Sequence, residues 1–254
     1  MTVGRIVDLS SNNHPGTAPI DWPQVKKAGV TTVLVKATQG VGYTNPWYAR
    51  DLAGALGQGM DVLAYHFAAF GTVGKEAAHF QAVAGLTRAK VLDSETSTNV
   101  AWMNDFLRAL GCPPTRLLDY GSASALSGIG GQLRAMLWVA AYGQGYPGYG
   151  VMWQFTDAAT IPGITGPVDE SRWYGTTEQY DRLFGKFDPP PPIITEDTMQ
   201  LYATNSAGTG FVIAADLSSK RGLPDAADAG ALLATNQYVK VALTDQLINA
   251  IPNA

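Results

Sequence analysis

The feature that most constrains the fold is an alternation of short apolar segments with longer amphipathic segments between residues 4 and 157. Several of the apolar segments are apolar throughout, which is typical of strands covered on both faces. Strand–helix repetition of this kind favours a mostly parallel sheet closed as a barrel, so we predict an α/β fold. The predicted strands are GRIVDLS, TTVLVKAT, DVLAYHFA, AKVLDSE, RLLDYGS, LWVAAYG and VMWQFTD.

The amphipathic segments between these strands carry the signals that begin and end helices. Asp21 is a suitable N-cap for the first helix, and Gly29 is a suitable stop. Asn45 is expected to cap the second helix, with Pro46 in its first turn. The predicted helices are residues 21–29, 45–59, 75–86 and 101–111.

Four consecutive prolines from Pro189 to Pro192 divide the chain, because such a run favours stiff extended backbone and continues neither a helix nor a central strand. We predict a main domain at 1–186, a linker at 187–197 and a small α+β module at 198–254. The module is expected to form a hairpin, a helix, a strand and a last helix. It is short for a core of its own, so we expect it to dock, to bind a ligand or to self-associate.

Charge and cysteine content exclude several classes of protein. The net charge of -4 and the pI of about 5.3 give no basic face for nucleic acid. No apolar run approaches the ~18 residues of a membrane span. The single cysteine, Cys112, is read as structural and permits no internal disulfide, which fits a reducing cytosol. Because no apolar run follows a basic start, we expect synthesis in the cytoplasm without a secretory signal.

Acidic side chains are placed where the predicted strands end. Asp8 closes the first strand, Asp93 and Glu95 follow an apolar run two residues apart, and Asp169 lies near the last strand. Residues two apart in a strand share a face, and parallel barrels build their sites at the carboxyl ends of strands. We therefore expect these four carboxyls to converge, with Asp93 and Glu95 on one strand face.

Converging carboxyls raise one another's proton affinity, which produces the general acid that glycoside cleavage requires. Two other readings remain at this point: a pair of solvated surface charges, or a site for Mg²⁺. The histidines His14, His66 and His79 lack the spacing of zinc ligands, so we expect neither a metal nor another cofactor. His66 is expected to point away from its neighbour Tyr65 and to lie in the core.

Seven blocks follow one another along the chain: DLSSNN, LVKATQGVGYTNPWYARDL, AYHF, LDSE, LWVAAYG, VMWQFTD and GPVDESRW. Together they resemble glycoside hydrolase family 25, the lysozymes of fungal, bacterial and phage origin. The resemblance covers about residues 4–185 and implies a flattened, incomplete β/α barrel with eight strands and fewer helices. It also implies cleavage of the β-1,4 bond between N-acetylmuramic acid and N-acetylglucosamine.

The resemblance also implies roles for individual residues. It makes Glu95 the acid, Asp93 its partner carboxylate, and Asp8 and Asp169 further active-site aspartates. Tyr65 matches the cleft tyrosine of the family. We further predict that Lys36, Tyr142 and Trp153 contact the substrate. Trp138 is expected to lie in the core.

The chain departs from the family pattern in two places. Gln39 stands where the family often has Glu, so a negative charge is missing there. RLLDYGSAS is also an unusual ending for its strand, so Tyr120 is not assigned to the site.

Three mechanisms are open: attack by an aspartate, attack by the N-acetyl group of the substrate with Asp93 orienting it, and direct inversion by water. The Asp-x-Glu pair favours the second. The expected partner is bacterial peptidoglycan, acted on by a phage-type endolysin after its release from the host cytoplasm. The alternative is a sugar-binding protein on a glycosidase scaffold that has lost catalysis. The C-terminal module is expected to bind cell wall or to form homo-oligomers.

Overall fold

The computed structural model describes residues 3–85, 87–184, 200–204, 210–214, 220–222 and 238–240. The chain divides into two compact units, Met1–Phe187 and Asp188–Ala254. The predicted linker at 187–197 lies outside the described residues. In the described ranges, no helix has both the length and the apolar composition needed to cross a membrane.

Within its described part, the first unit is built on eight strands hydrogen-bonded into a closed ring, as the resemblance implied. Seven strands run parallel in the order β1-β2-β4-β5-β6-β7-β8, and β9 lies antiparallel between β8 and β1. A short strand, β3, pairs with the end of β2. The strands are β1 Arg5–Leu9, β2 Val30–Gln39, β3 Tyr43–Thr44, β4 Asp61–Phe67, β5 Ala89–Asp93, β6 Leu117–Ser122, β7 Met136–Ala140, β8 Met152–Ala159 and β9 Val168–Trp173.

The helices pack around this ring, and four of them match the predicted segments. The Asp21 side chain caps α1 by accepting from the Gln24 backbone N–H at 3.1 Å, as predicted. The predicted start of α2 is wrong: Asn45 accepts from the Trp47 N–H at 3.1 Å, and the helix begins only at Tyr48. The helices are α1 Trp22–Lys27, α2 Tyr48–Gly57, α3 Val73–Ala84, α4 Val100–Ala109, α5 Ala123–Ile129 and α6 Thr177–Leu183, of which α5 and α6 were not predicted.

Alternate strand residues form two apolar layers. One set fills the interior of the ring, and the other packs between the ring and the helices. On β1, for example, Ile6 faces the interior while Val7 and Leu9 belong to the outer layer. The interior set is Ile6, Leu34, Leu63, Tyr65, Ala89, Val91, Leu118, Tyr120, Trp138 and Met152, and Leu183 of α6 belongs to the same cluster.

The second unit contains four described strands in the order β12-β11-β10-β13. These are β10 Gln200–Thr204, β11 Gly210–Ala214, β12 Lys220–Gly222 and β13 Tyr238–Lys240. The antiparallel pairing of β10 with β11 confirms the predicted hairpin, and β13 confirms the later strand. β12 was not predicted, and the two predicted helices lie outside the described residues.

A buried ionisable pair ties the outer face of the ring to α3. His66 is fully buried, as expected of a core residue, and its Nε2 lies 3.0 Å from Glu76 Oε2. Its Nδ1 contacts Thr38 Oγ1 at 2.8 Å. Glu76 also accepts backbone N–H bonds from Ala69 at 3.0 Å and Gly71 at 2.6 Å, so it fixes the connection between β4 and α3.

Replacing Glu76 by Ala should destabilise the first unit by about 3 kcal/mol or more, because it leaves His66 and two backbone N–H groups without their acceptor. Chemical denaturation measures this free energy of unfolding. The matched control is Glu178→Ala, which removes an exposed carboxylate 2.8 Å from Arg182 on α6 and should cost under about 1 kcal/mol. A loss at Glu76 no greater than at Glu178 would contradict this account.

Candidate active site

The four predicted carboxyls converge at one end of the barrel. Asp8 lies on β1, and Asp169 on β9 is its direct partner across the antiparallel pair. Asp93 is the last residue of β5. Glu95 lies in the turn beyond that strand, so the prediction that it shares a strand face with Asp93 is wrong in detail. All four side chains nevertheless line one cavity of about 200 Å³.

The cavity is mainly polar, and four aromatic side chains are among its lining residues. It contains every predicted catalytic residue and two of the four predicted substrate contacts, Lys36 and Tyr65. The lining residues are Asp8, Ser10, Asn12, Lys36, Tyr65, Phe67, Asp93, Glu95, Tyr120, Trp138, Gln154 and Asp169.

Asp8 and Asp169 form a pair of carboxyls that share a hydrogen bond. Asp8 is only 7% exposed, and burial, followed by the charge of Asp169, raises its pKa well above the usual range. Burial also raises the pKa of Asp169, but its hydrogen bond with Asp8 opposes that change. The proton of the pair is therefore placed on Asp8, and the negative charge on Asp169.

Asp93 and Glu95 form the second pair. Asp93 is 6% exposed, and burial, followed by the charge of Glu95 and a hydrogen bond with it, raises the pKa of Asp93 well above the usual range. Glu95 is exposed. Lys36 attracts both carboxylates, although burial lowers its own pKa. Its Nζ donates to Gln39 Oε1 at 2.8 Å. Because Gln39 is neutral where the family often has Glu, this contact does not neutralise the positive charge of Lys36.

Gln154 connects the first pair to two tyrosines, and the sequence did not reveal it. The hydroxyls of Tyr120 and Tyr142 donate to Gln154 Oε1 at 2.6 and 2.5 Å. Its amide group is thereby oriented so that Nε2 donates to Asp8 Oδ2 at 2.9 Å. Its one visible signal is a polar residue within the otherwise apolar start of the VMWQF segment.

The aromatic residues separate into cleft and outer-wall groups. Tyr65 lines the cavity, and burial together with the nearby carboxylates raises its pKa, so it stays a neutral phenol. Trp138 is buried as predicted, and its Nε1 donates to Ser171 Oγ at 3.0 Å beneath the cavity. Tyr120, unassigned from sequence, lines the cavity, while Tyr142 reaches the site through Gln154 and is 42% exposed.

Trp153 is not brought to the cleft. It lies on the strand face opposite Gln154, its Nε1 donates to the Ala141 carbonyl at 3.0 Å, and its ring packs near Tyr146 and Tyr174. Trp153, predicted to contact the substrate, is therefore not among the residues that line the cavity. Among the described residues, no group of three or more His, Cys, Asp or Glu side chains is arranged to hold a metal ion.

The sequence profile of Glycosyl hydrolases family 25 matches residues 7–164, which is more than half of the chain. The chain belongs to this family. The matched range contains Asp8, Asp93 and Glu95, and Asp169 follows it within the same ring of strands. Membership of a glycosidase family thus coincides with the cleft that gathers the four carboxyls.

Individual relatives are similar in sequence and in fold. Lysozyme M1 of Streptomyces globisporus is 28% identical over 192 residues, which cover 62% of this chain and 64% of that protein, so the chain spans less than two thirds of its length. The bacterial lysozyme from Streptomyces coelicolor has a TM-score of 0.62 at 24% identity, covering 72% of this chain and 97% of that one. The CTP1L endolysin has a TM-score of 0.61 at 24% identity, covering 94% and 81%. These likenesses confirm the predicted barrel fold.

Replacing Asp8 by Asn should stabilise the protein at neutral pH. An unfolded aspartate has a pKa of about 3.9, below that of Asp8 in the folded chain. Below about pH 4 both states are protonated and the group contributes nothing. As pH rises further, the unfolded state loses its proton first, so wild type loses stability that the Asn variant keeps.

Thermal melts from pH 4 to pH 8 test this prediction. The melting temperature of Asp8→Asn should exceed that of wild type by an amount that grows towards neutral pH and vanishes near pH 4. Asp105→Asn, which removes an exposed carboxylate on α4, is the control and should show no such trend. Destabilisation of Asp8→Asn that increases towards neutral pH would mean that Asp8 is held ionised.

Proposed function

We propose that this chain is a lysozyme, an endo-N-acetylmuramidase, that cleaves the β-1,4 bond between N-acetylmuramic acid and N-acetylglucosamine in bacterial peptidoglycan. The observation that carries the proposal is the convergence of Asp8, Asp93, Glu95 and Asp169 on one cavity of a family 25 barrel. Cleavage of a glycoside requires one carboxyl to protonate the leaving oxygen and another to stabilise the positive charge at the sugar ring. The cleft supplies both.

Glu95 is the general acid in this proposal. Of the four carboxyls it is the exposed one, so a polymer entering the cleft meets it first. A bound sugar excludes water from the Glu95 side chain, so its carboxyl meets the leaving oxygen directly.

Asp93 orients the N-acetyl group of the substrate. An acetamide N–H that donates to Asp93 favours the charged form of this carboxyl, so the proton shared by the pair passes to Glu95. Asp93 lines the cavity, where such a donor from the substrate would meet its carboxyl. The acetyl oxygen then attacks the anomeric carbon while Glu95 protonates the leaving oxygen. The Asp8–Asp169 pair contributes one negative charge that stabilises the developing positive ring.

The biological role that we infer is that of a phage endolysin, made in the host cytoplasm and acting on the wall after release. Support comes from the likeness in fold to the CTP1L endolysin, which extends over most of this chain. The module at 198–254 is proposed to bind cell wall. The alternative is self-association, and the truncation experiment below distinguishes the two. Neither nucleic acid nor a membrane is a proposed partner.

Glu95→Gln should reduce cleavage by about a hundredfold or more, because glutamine is nearly isosteric but has no proton to give to the leaving oxygen. Release of reducing ends from purified cell walls, with EDTA present, measures the rate. Glu178→Gln, on the exposed face of α6, is the control and should keep the wild-type rate. A Glu95→Gln rate above half that of wild type would overturn the assignment. Wall binding by wild type without any reducing ends would favour the sugar-binding alternative.

Asp93→Asn should slow cleavage by about a hundredfold to a thousandfold, the effect of losing roughly 3–4 kcal/mol of electrostatic stabilisation. Asparagine still hydrogen-bonds to the acetamide but lacks the charge. No covalent glycosyl-enzyme should form in either protein, which mass spectrometry of quenched reactions can examine. A sugar trapped on Asp93 would make this residue the nucleophile and reverse the proposed mechanism.

Truncation after Asp188 should leave a folded domain that cleaves soluble wall fragments at the wild-type rate, because all four carboxyls precede the prolines. If the removed module binds walls, the truncated protein will sediment less with insoluble peptidoglycan. If the module assembles chains, light scattering will show a lower mass instead, and wall affinity will fall through lost avidity. An unfolded or inactive truncated protein would place the domain boundary elsewhere.

A further inference from the structure

Asp119 is a carboxyl buried outside the cleft. It lies on β6 between Leu118 and Tyr120, which both face the interior of the ring. Asp119 therefore faces the opposite way, and its register partner on β5 is Leu92, a member of the outer apolar layer. The side chain is 0% exposed.

The surroundings of Asp119 make this residue unfavourable for the stability of the fold. Its Oδ1 accepts from the Ser94 hydroxyl at 2.7 Å, while its Oδ2 has no hydrogen-bond partner within the part of the chain that the structure describes. A buried carboxyl with one oxygen unpartnered costs free energy whether it is charged or neutral. Burial raises its pKa to about 7, and the Ser94 hydroxyl opposes that rise. An apolar residue of similar volume would serve stability better at this position.

Ser94, which donates to Asp119, lies between the two residues of the Asp93–Glu95 pair. Ser94 points to the outer face because side chains alternate at the end of β5. Its backbone N–H donates to the Tyr120 carbonyl at 3.0 Å, and its hydroxyl lies 3.1 Å from the same carbonyl. The ladder between β5 and β6 ends at Asp93, so these contacts of Ser94 hold the start of the turn that carries Glu95.

We propose that Asp119 is a positioning residue for the reaction, which acts through the Ser94 hydroxyl to fix the turn that presents Glu95 beside Asp93. The inference rests on the proposed function, in which the position of Glu95 beside Asp93 matters for catalysis. It assigns a purpose to a buried carboxyl that lies outside the cavity. Displacement of a catalytic group by about 1 Å can cost as much as a hundredfold in rate, so a modest loosening of the turn is measurable.

Two substitutions at Asp119 separate positioning from stability. Asp119→Leu removes the acceptor and also the unpartnered oxygen, so the melting temperature should stay level or rise, while kcat falls about tenfold with KM little changed. Asp119→Asn keeps an acceptor for the Ser94 hydroxyl, so kcat should stay within about twofold, although the added amide N–H lowers the melting temperature. Across the two variants, kcat should depend on whether the Ser94 hydroxyl keeps an acceptor. The melting temperature should depend on whether a buried polar group is left without a partner.

Ser94→Ala tests the other end of the same contact. It should lower kcat at least as much as Asp119→Leu does, because it also removes the contact of the hydroxyl with the Tyr120 carbonyl. The double variant should lose no more than Ser94→Ala alone, because both changes break the Ser94–Asp119 hydrogen bond. Asp105→Asn on α4 is the control for removal of an acidic side chain away from the turn, and it should leave kcat unchanged.

A second readout does not depend on catalysis. Titration of ¹³C-labelled carboxyls by NMR should show altered curves for Asp93 and Glu95 in Asp119→Leu and wild-type curves in Asp119→Asn. If wild type cleaves no glycan but the curves shift as described, the proposed function fails and the positioning role stands. Wild-type kcat and unaltered curves in Asp119→Leu would overturn the inference, as would rate losses that follow the melting temperature across the set.

Discussion

Pairing of β1 with both β2 and β9 is the constraint on which the rest of the structure depends, because it closes the ring. β2 runs parallel to β1, and β9 runs antiparallel, so Asp169 falls directly opposite Asp8. β2 carries Lys36 and β5 carries Asp93 to the same end of the barrel. Strand direction and side-chain alternation therefore bring three of the four carboxyls together, and the turn beyond β5 adds Glu95.

The assembled site is electrostatically unfavourable, and the surrounding contacts reduce the repulsion among its carboxyls. Each carboxyl pair retains a proton because burial and like charge raise the pKa of Asp8 and of Asp93. Gln154 fixes the orientation of Asp8, and Lys36 attracts the second pair. Buried acids of this kind reduce stability, but they provide the proton donors and the negative charge that glycoside cleavage uses.

The end of the barrel that holds Asp8 is predictable from sequence, because Asp8 closes an apolar strand and parallel barrels build their sites at the carboxyl ends of strands. Tyr65 was assigned by resemblance to the family, and its side chain lines the same cavity. In VMWQF both faces carry large side chains, so the sequence does not indicate which face meets the cleft, and Gln154 was not predicted. β9 was not predicted as a strand because Asp169, Glu170 and Arg172 give it a charged composition, and only its partners β8 and β1 make it extended. Asp119 was invisible because no local pattern distinguishes a buried carboxyl from a solvated one.

We propose that the cleft cleaves the glycosidic bond that follows N-acetylmuramic acid. The most direct measurement is chemical reduction of the new reducing ends in digested peptidoglycan with borohydride, followed by acid hydrolysis and sugar analysis. The account predicts that the reduced sugar is muramicitol, formed in proportion to enzyme and absent with Glu95→Gln. Glucosaminitol in its place, or no reduced sugar at all, would contradict it.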